Sequence, residues 1–364
     1  MGRAIVSAAN VKPVNLALQG GGAHGAVAWG VLDRLLEDDR ISIDSISGAS
    51  AGAVNAAALA YGLHLGGRDA AREKLTELWR RISEVGAVFS PVKAPSLNGD
   101  FDKFLGGLTL DYSPAYQMFE LFTRTLSPYQ FNPFDINPLR DILEACIDFE
   151  SLRHCTATQL FLSATNVRTG KVHVFETSEA CVEAVCASTC LPFLFKAVEV
   201  DGEHYWDGGY MGNPVLFPFF YKAEASDILI VHINPLDRDE IPKTAPSIAN
   251  RINEISFNSS LLRELRAISF VHKLLDDGWV KDEYRDKLRD VRIHSIRSDL
   301  ALTDLSVASK FATDWPFLTR LRDAGRDIAE SWLGENFEHV GARSSVDLRA
   351  MFEGDEPMAG APSD

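Results

Sequence analysis

The most chemically specific pattern in the chain is Gly-x-Ser-x-Gly at Gly48–Gly52, with Ser50 at its centre. It follows the alternating run Ile41–Ile46, which predicts a strand, and precedes the alanine-rich stretch Ala51–Ala60, which favours a helix. A serine on a sharp strand-to-helix turn is typical of a nucleophile elbow, where glycines flank the serine because larger side chains would clash. The N–H groups and dipole of the following helix also favour a developing negative charge. Ser50 is therefore the candidate nucleophile.

A second glycine-rich segment, Gly20–Gly25, lies between the strand-like run Val14–Gln19 and the helix-like stretch Ala26–Glu37. A strand, a glycine turn and a helix gather several backbone N–H groups at one point, where they can hold an oxyanion or a phosphate. The segment also matches the Gly-x-Gly-x-x-Gly fingerprint of dinucleotide sites, with Asp44 at the spacing of the ribose-binding acid. Ser50 favours an oxyanion loop over a dinucleotide site, because a nucleotide site has no need of a nucleophile elbow after its second strand.

The third candidate is Asp207, which follows the predicted hairpin Val198–Trp206 and precedes the pair Gly208 and Gly209. Taken alone, an aspartate before two glycines is most simply a turn residue. Taken after the glycine-rich segment and the elbow, in this order along the chain, a functional role becomes the better interpretation.

These three motifs resemble the patatin-like phospholipases over roughly residues 14–235. That family has a glycine-rich oxyanion loop after its first strand, Gly-x-Ser-x-Gly at the elbow, and Asp-Gly-Gly or Asp-Gly-Ala supplying the second catalytic residue. The similarity extends to Ser163–Asn166 and Ala187–Pro192, which look like the family's inner strand and its small-residue turn beside the active site. The chain departs from the family at His24, where many members carry Arg or Lys, and histidine is mostly neutral at pH 7.

The resemblance implies a serine acyl-hydrolase of the phospholipase, lysophospholipase or esterase type, with a Ser50–Asp207 dyad and no histidine between the two. Asp207 would take the proton of the Ser50 hydroxyl, and partial burial would raise its pKa and make it a better base. The N–H groups expected to form the oxyanion hole belong to Gly20, Gly21, Gly22 and Ala51. The residues expected to support the motifs are His24, Gly25, Gly48, Gly52, Gly208 and Gly209. The expected substrate is a lipid or another carboxylic ester, and neither a cofactor nor a metal is expected.

Four alternatives stay open at this stage. A Ser-His-Asp triad could replace the dyad; of the nine histidines, His204 and His232 are the least unsuitable, although neither lies in a glycine-rich turn. With the same dyad, the enzyme could transfer the acyl group to an alcohol, or act on a storage polyester or neutral lipid. A lipid-binding protein without catalysis is the alternative outside the enzymes, and the intact motifs argue against it.

Composition indicates the class of protein. The chain has 364 residues, of which 46% are hydrophobic, and a net charge of −15. This charge argues against a nucleic-acid partner and against simple electrostatic attachment to anionic lipid surfaces, so any transient membrane contact would be apolar. With no signal-peptide-like or membrane-spanning run, we expect a cytoplasmic enzyme that is at most peripheral to a membrane. Reduced thiols, and no zinc site, are expected for Cys146, Cys155, Cys181, Cys186 and Cys190.

The alternation of elements predicts an α/β fold, in three layers, with a mostly parallel central sheet and a helical C-terminal extension. Strands are expected at 14–19, 43–47, 160–167, 171–176, 197–200, 203–206, 227–233 and 291–296. Helices are expected near 25–38, 51–62, 68–84, 137–146, 179–187, 248–277, 309–333 and 345–352.

The domain organisation follows from changes in composition. Residues 1–235 form the predicted catalytic domain, and 236–353 form a mainly helical extension. Residues 86–134 are an aromatic-rich insertion that is either a lid over the active site or an ordinary apolar subdomain. The apolar stripe of the helix at 248–277 faces either the enzyme's own core or a second subunit, and the tail 354–364 is expected to be disordered.

Overall fold

The computed structural model describes residues 11–90, 114–285, 287–302, 305 and 307–353. Its strands are β1 (Lys12–Leu18), β2 (Ile41–Gly48), β3 (Gln159–Asn166), β4 (Val172–Glu176), β5 (Val198–Val200), β6 (Glu203–Asp207), β7 (Asp227–Val231) and β8 (Arg292–Ile296). They form one eight-stranded sheet in the order β5-β6-β3-β2-β1-β7-β8, with β4 also paired to β3. All eight predicted strands are present in this sheet.

The neighbouring strands β3, β2, β1, β7 and β8 are parallel to one another. Strands β4, β5 and β6 form antiparallel pairs at one side of the sheet. The central strands are largely buried on both faces because helices cover both faces of a parallel sheet. In β7, Leu229 and Val231 contact the core on one face, whereas Ile228 and Ile230 contact the core on the other. The predicted mostly parallel α/β fold in three layers is confirmed.

The helices are α1 (Gly25–Glu37), α2 (Ala51–Phe89), α3 (Pro114–Thr125), α4 (Pro128–Phe131), α5 (Pro138–Cys146), α6 (Phe149–Leu152), α7 (Val182–Ser188), α8 (Phe217–Lys222), α9 (Ala245–Asp276), α10 (Asp282–Arg285), α11 (Trp315–Asn336) and α12 (Leu348–Glu353). α2 changes direction at Gly66 and Gly67, which have non-helical backbone angles, between the two helices that the sequence predicts there. Three short 3₁₀ turns also contribute to the site, at Gly22–His24, Gly208–Tyr210 and Val307–Phe311.

The C-terminal region is helical, as predicted, and it packs directly on the sheet domain. β8 pairs with β7, and α11 lies against α1 with the two backbones in direct contact at Gly30 and Gly325. On α9, the apolar residues Leu261, Leu265 and Ile268 belong to the core beneath the sheet. The division at residue 235 stays a prediction, and in this structure the chain on either side of it contributes to one sheet and to the cores on both of its faces.

The aromatic-rich insertion is described only in part. Tyr116 and Phe119 of α3 pack against Phe311, whereas Phe134 is 86% exposed. Phe101, Phe104, Tyr112 and the side chain of Phe89 lie outside the described residues, as does the tail 354–364. The lid interpretation and the disordered tail therefore stay predictions. Across the described ranges, none of the helices combines the length and the hydropathy that crossing a bilayer would require.

The contact between α1 and α11 predicts that Gly30→Ala is destabilising. A Cβ on Gly30 would collide with the carbonyl of Arg322, so the helices must separate, and we expect a loss of about 2 kcal/mol in the free energy of unfolding. Gly334, on an exposed part of the same α11, is the matched control. No atom lies within 4 Å of a Cβ placed there, so Gly334→Ala should raise stability by up to about 1 kcal/mol through helix propensity alone. Urea denaturation of both variants tests the contact, and equal stabilities would contradict it.

Candidate active site

Ser50 lies at a sharp turn between β2 and α2. Its backbone has a φ of 53° and a ψ of −126°, a strained conformation for a residue with a side chain. Its N–H donates to the hydroxyl of the buried Ser188 at 3.0 Å. A Cβ on Gly48 would lie 2.5 Å from the carbonyl oxygen of Gly52, and a Cβ on Gly52 would collide with the carbonyl of Leu18. The turn can therefore be this tight only with glycine at both flanking positions.

The glycine-rich loop packs against this turn because β1 and β2 are neighbouring parallel strands, whose carboxyl ends meet at the same edge of the sheet. A Cβ on Gly20 would collide with the Cβ of Ser50. Gly22 has a φ of 61°, which favours glycine, and a Cβ there would lie 2.6 Å from the carbonyl oxygen of Lys310. The loop thus fills the space between the elbow and a segment of the C-terminal region.

The four N–H groups named from the sequence have different surroundings. That of Gly20 donates to Oδ1 of Asn213 at 2.7 Å and is already committed. Gly21 caps the 3₁₀ turn that starts at Gly22, and Ala51 is the first residue of α2. The first N–H groups of a helix have no partner within that helix, so these three can serve a ligand.

Asp207 is the last residue of β6, and backbone contacts hold it firmly. Its N–H donates to the carbonyl of Cys190 at 2.8 Å, and its own carbonyl accepts a hydrogen bond from the Thr165 hydroxyl at 2.8 Å. The Oδ1 atom of its carboxyl group accepts the N–H of Gly209 at 2.7 Å. The side chain has no exposed surface.

Burial raises the pKa of Asp207 to about 7, because a surrounding of low polarity disfavours the charged carboxylate. The nearby Ser50 hydroxyl and the N–H of Gly209 act against this rise in pKa. Among the described residues, the buried Oδ2 atom has no partner of standard hydrogen-bond geometry. Contacts between a nucleophile and its base are often imperfect without substrate and tighten when substrate binds. The structure brings Ser50 and Asp207 together.

The glycines after Asp207 allow close packing on both sides. A Cβ on Gly208 would collide with the carbonyl of Ser163 on β3, and a Cβ on Gly209 would collide with the ring of Phe257 on α9. The Phe257 ring also packs on Tyr210, with 5.4 Å between the ring centres. Helix α9 therefore forms part of the wall around the candidate base.

His24 is buried and interacts with the hydroxyl of Ser309 at 2.7 Å through Nε2. Burial, with a smaller effect of the Lys310 charge, lowers the pKa of His24 to about 3. His24 is therefore neutral at pH 7 and supplies no charge to a ligand. Gly25, the next residue, brings α1 against α2, since a Cβ on it would lie 2.7 Å from that of Ala51.

The side chains that a Ser-His-Asp triad or a dinucleotide site would require have other partners. His232 interacts with the Ser295 hydroxyl at 2.7 Å, and burial lowers its pKa to about 4. His204 is half exposed, 3.9 Å from the carboxylate of Glu199. Asp44, the candidate ribose ligand, accepts hydrogen bonds from two backbone N–H groups just before β7, at 2.7 and 2.8 Å. In this structure His232 and Asp44 make contacts within the fold, and His204 lies at the surface.

The cysteines are all free thiols. Burial raises the pKa of Cys146 to about 11 and those of Cys186 and Cys190 to about 12, which keeps these thiols protonated. As far as the chain is described, no three His, Cys, Asp or Glu side chains come together as metal ligands.

Sequence reasoning missed a set of buried amide side chains behind the glycine loop: Gln19, Asn213, Asn234 and Asn258. Oε1 of Gln19 accepts the backbone N–H of Asn234 at 3.0 Å, and its Nε2 donates to Oδ1 of Asn258 at 2.9 Å. Nδ2 of Asn234 donates to the carbonyl of Gly20 at 2.7 Å. The available signal was a polar amide directly after β1 and another three residues after β7, where water is excluded and such groups need partners.

Comparison with known proteins places the sequence in a family. A sequence model for the patatin-like phospholipase family matches residues 16–220. No curated protein matches the chain significantly. Among solved structures, the crystal structure of VipD from Legionella pneumophila is similar, with a TM-score of 0.41 and 15% sequence identity. That match covers 88% of this chain but 66% of VipD, so this chain spans less than two thirds of that protein's length. Since the family model matches more than half of the sequence, the chain belongs to the patatin-like phospholipase family.

Proposed function

We propose that this protein is a lipid acyl hydrolase that cleaves carboxylic esters through an acyl-serine intermediate on a Ser50–Asp207 dyad. Family membership supports lipid acyl hydrolase activity in general. The observation that carries the finer proposal is the buried carboxyl group of Asp207 beside the strained elbow serine. With its pKa raised to about 7, this group can accept a proton at neutral pH and return it later in the cycle.

In the first half-reaction, ionised Asp207 takes the proton of the Ser50 hydroxyl while the oxygen attacks the ester carbonyl carbon. The resulting tetrahedral oxyanion collapses, the bond to the alcohol oxygen breaks, and Asp207 returns its proton to that oxygen. In the second half-reaction, Asp207 takes a proton from water, and the hydroxide attacks the acyl-serine. The fatty acid leaves, and Ser50 regains its proton.

The negative charge of the tetrahedral intermediate would be stabilised by the N–H groups of Gly21, Gly22 and Ala51. Each stands at the start of a helical segment, where N–H groups and the helix dipole favour an anion. The N–H of Gly20 is bound to Asn213, so Gly20 is not proposed as a donor to the oxyanion. Its role is to let the loop approach Ser50 closely, because it has no side chain.

Exposed apolar side chains on and next to the turn that binds the Asp207 N–H support a lipid substrate. Phe193, three residues after the carbonyl that binds the Asp207 N–H, is 65% exposed. The Tyr129 hydroxyl accepts the N–H of Ala197 at 3.3 Å, which links this turn to the exposed Phe134 region. We propose that this surface contacts acyl chains or a lipid surface during turnover.

Product analysis with a competing alcohol separates hydrolysis from acyl transfer.

Labelling with an alkyl fluorophosphonate tests the dyad. We expect intact mass and peptide mapping to show one adduct, on Ser50, and none on Ser50→Ala. Asp207→Asn should label about 10²–10⁴-fold more slowly, because the general base is lost. Asp148→Asn, which changes a carboxylate that caps α6, is the matched control and should label like the parent.

Two results would contradict the proposal. If Asp207→Asn labels as fast as the parent, another base activates Ser50 and the histidine triad regains support. If the folded parent takes no label, catalysis at Ser50 is refuted and a lipid-binding role becomes the better explanation.

The raised pKa of Asp207 also predicts the pH dependence of labelling. The carboxyl group must be ionised to accept the serine proton, so the rate should rise about tenfold per pH unit below a midpoint near 7 and then level off. Asp207→Asn should lack this midpoint. A midpoint near 4, the ordinary range of an aspartate, would show that the carboxyl group is solvated in the working enzyme.

The same burial predicts that Asp207→Asn stabilises the fold. The pKa of Asp207 is higher in the folded protein than in the unfolded chain, so its ionisation costs folding free energy as the pH rises from about 4 to about 7. The stabilisation by Asn should therefore be small at pH 4, grow with pH and reach a plateau above pH 7. Thermal unfolding at a series of pH values measures this difference, and a pH-independent difference would contradict it.

A further inference from the structure

We propose that Asn234 is a positioning residue for the oxyanion hole. It holds the carbonyl of Gly20 so that the Gly20–Gly21 peptide presents the N–H of Gly21 to the substrate. This inference rests on the proposed function. It assigns a part in catalysis to the segment after β7, which lies outside the family match at residues 16–220.

The direction of the Gly21 N–H follows from one hydrogen bond. Asn234 is fully buried, and its Nδ2 donates to the Gly20 carbonyl at 2.7 Å. In a trans peptide the C=O and the N–H point in opposite directions, so the Gly21 N–H points away from Asn234. Gly20 packs directly against Ser50, and we therefore expect this N–H to face the side of the nucleophile.

A glycine-rich loop needs such a restraint because its backbone has no strong preference of its own. Glycine reaches many combinations of φ and ψ at little cost, so a peptide between two glycines can rotate easily. Here both sides of Gly20 are fixed: Asn213 accepts its N–H, and Asn234 binds its carbonyl, each at 2.7 Å. Rotation of the Gly20–Gly21 peptide would leave the Asn234 amide buried without its acceptor, which is costly.

The Asn234 amide is itself held in one orientation. Its Oδ1 accepts a hydrogen bond from Nζ of Lys310 at 3.3 Å, so its Nδ2 must face Gly20. Its backbone N–H donates to Gln19 at 3.0 Å, and its carbonyl accepts from Nδ2 of Asn258 at 3.3 Å. Lys310 and Asn258 both come from the C-terminal region. That region therefore completes the support of the oxyanion hole.

The test compares Asn234→Ala with Asn15→Ala in the full chain. Asn15 is a matched control, because it is also fully buried and its Nδ2 also donates to a backbone carbonyl, that of Ala225, at 2.7 Å. We measure the maximal rate and the half-saturating concentration of alkyl fluorophosphonate labelling. Affinity for an alkyl trifluoromethyl ketone, which forms a tetrahedral oxyanion on serine, is the second readout.

We expect Asn234→Ala to lower the maximal labelling rate about 10–100-fold with little change in the half-saturating concentration, since only the transition state uses the oxyanion hole. Affinity for the ketone should fall by a similar factor. Asn15→Ala should lose comparable thermal stability and keep both values. If Asn234→Ala does not fold, Asn234→Asp replaces it, because aspartate keeps the shape and the acceptor for Lys310 but removes the donor to Gly20.

The outcomes separate the two proposals. A parent protein that is inert toward the fluorophosphonate refutes the proposed function, and the positioning role with it. A reactive parent, with Asn234 variants that react and bind the ketone like Asn15→Ala, overturns the positioning role alone. A rise in the half-saturating concentration at an unchanged maximal rate overturns it too, because Asn234 would then act on initial binding.

Discussion

The site depends on the close approach of two loops, the glycine-rich loop after β1 and the elbow after β2. The two strands are parallel neighbours, so their carboxyl ends deliver both loops to the same edge of the sheet. The backbone of Gly20 then lies against Ser50, and that of Gly52 against the carbonyl of Leu18. Any side chain at these positions would push the nucleophile away from the N–H groups proposed to stabilise its product. The glycines are thus a condition for the geometry of the site.

The candidate base is placed by a different principle. Asp207 is held through its backbone, by Cys190 and Thr165, so its carboxyl group can be buried with few partners of its own. A buried carboxyl group with one firm hydrogen bond costs folding free energy when ionised, and the same cost brings its pKa to about 7. The fold therefore gives up stability at the point where the proposed chemistry needs a stronger base.

The C-terminal region contributes to the site through its interior contacts. Phe257 packs on Gly209, Ser309 binds His24, and Lys310 lies against the glycine loop and the Asn234 amide. The buried amide of Gln19 links these parts, because it bonds both to the segment after β7 and to α9. Such buried amide groups need all their partners, so the loop, the sheet and the C-terminal helix hold one another in place.

Short-range patterns in the sequence alone were sufficient to predict most of the secondary structure and the glycine motifs of the site. The periodicity of apolar residues identified all eight strands and the two helical halves of α2, and the glycines marked both the elbow and the loop, because these signals depend only on neighbours along the chain. The tertiary structure alone decided which N–H groups remain available: the Gly20 N–H is bound by Asn213, 193 positions away in sequence. It also lowered the pKa of His24 from its ordinary value to about 3, chiefly through burial. These properties arise from desolvation and from hydrogen bonds between distant segments, which no local pattern encodes.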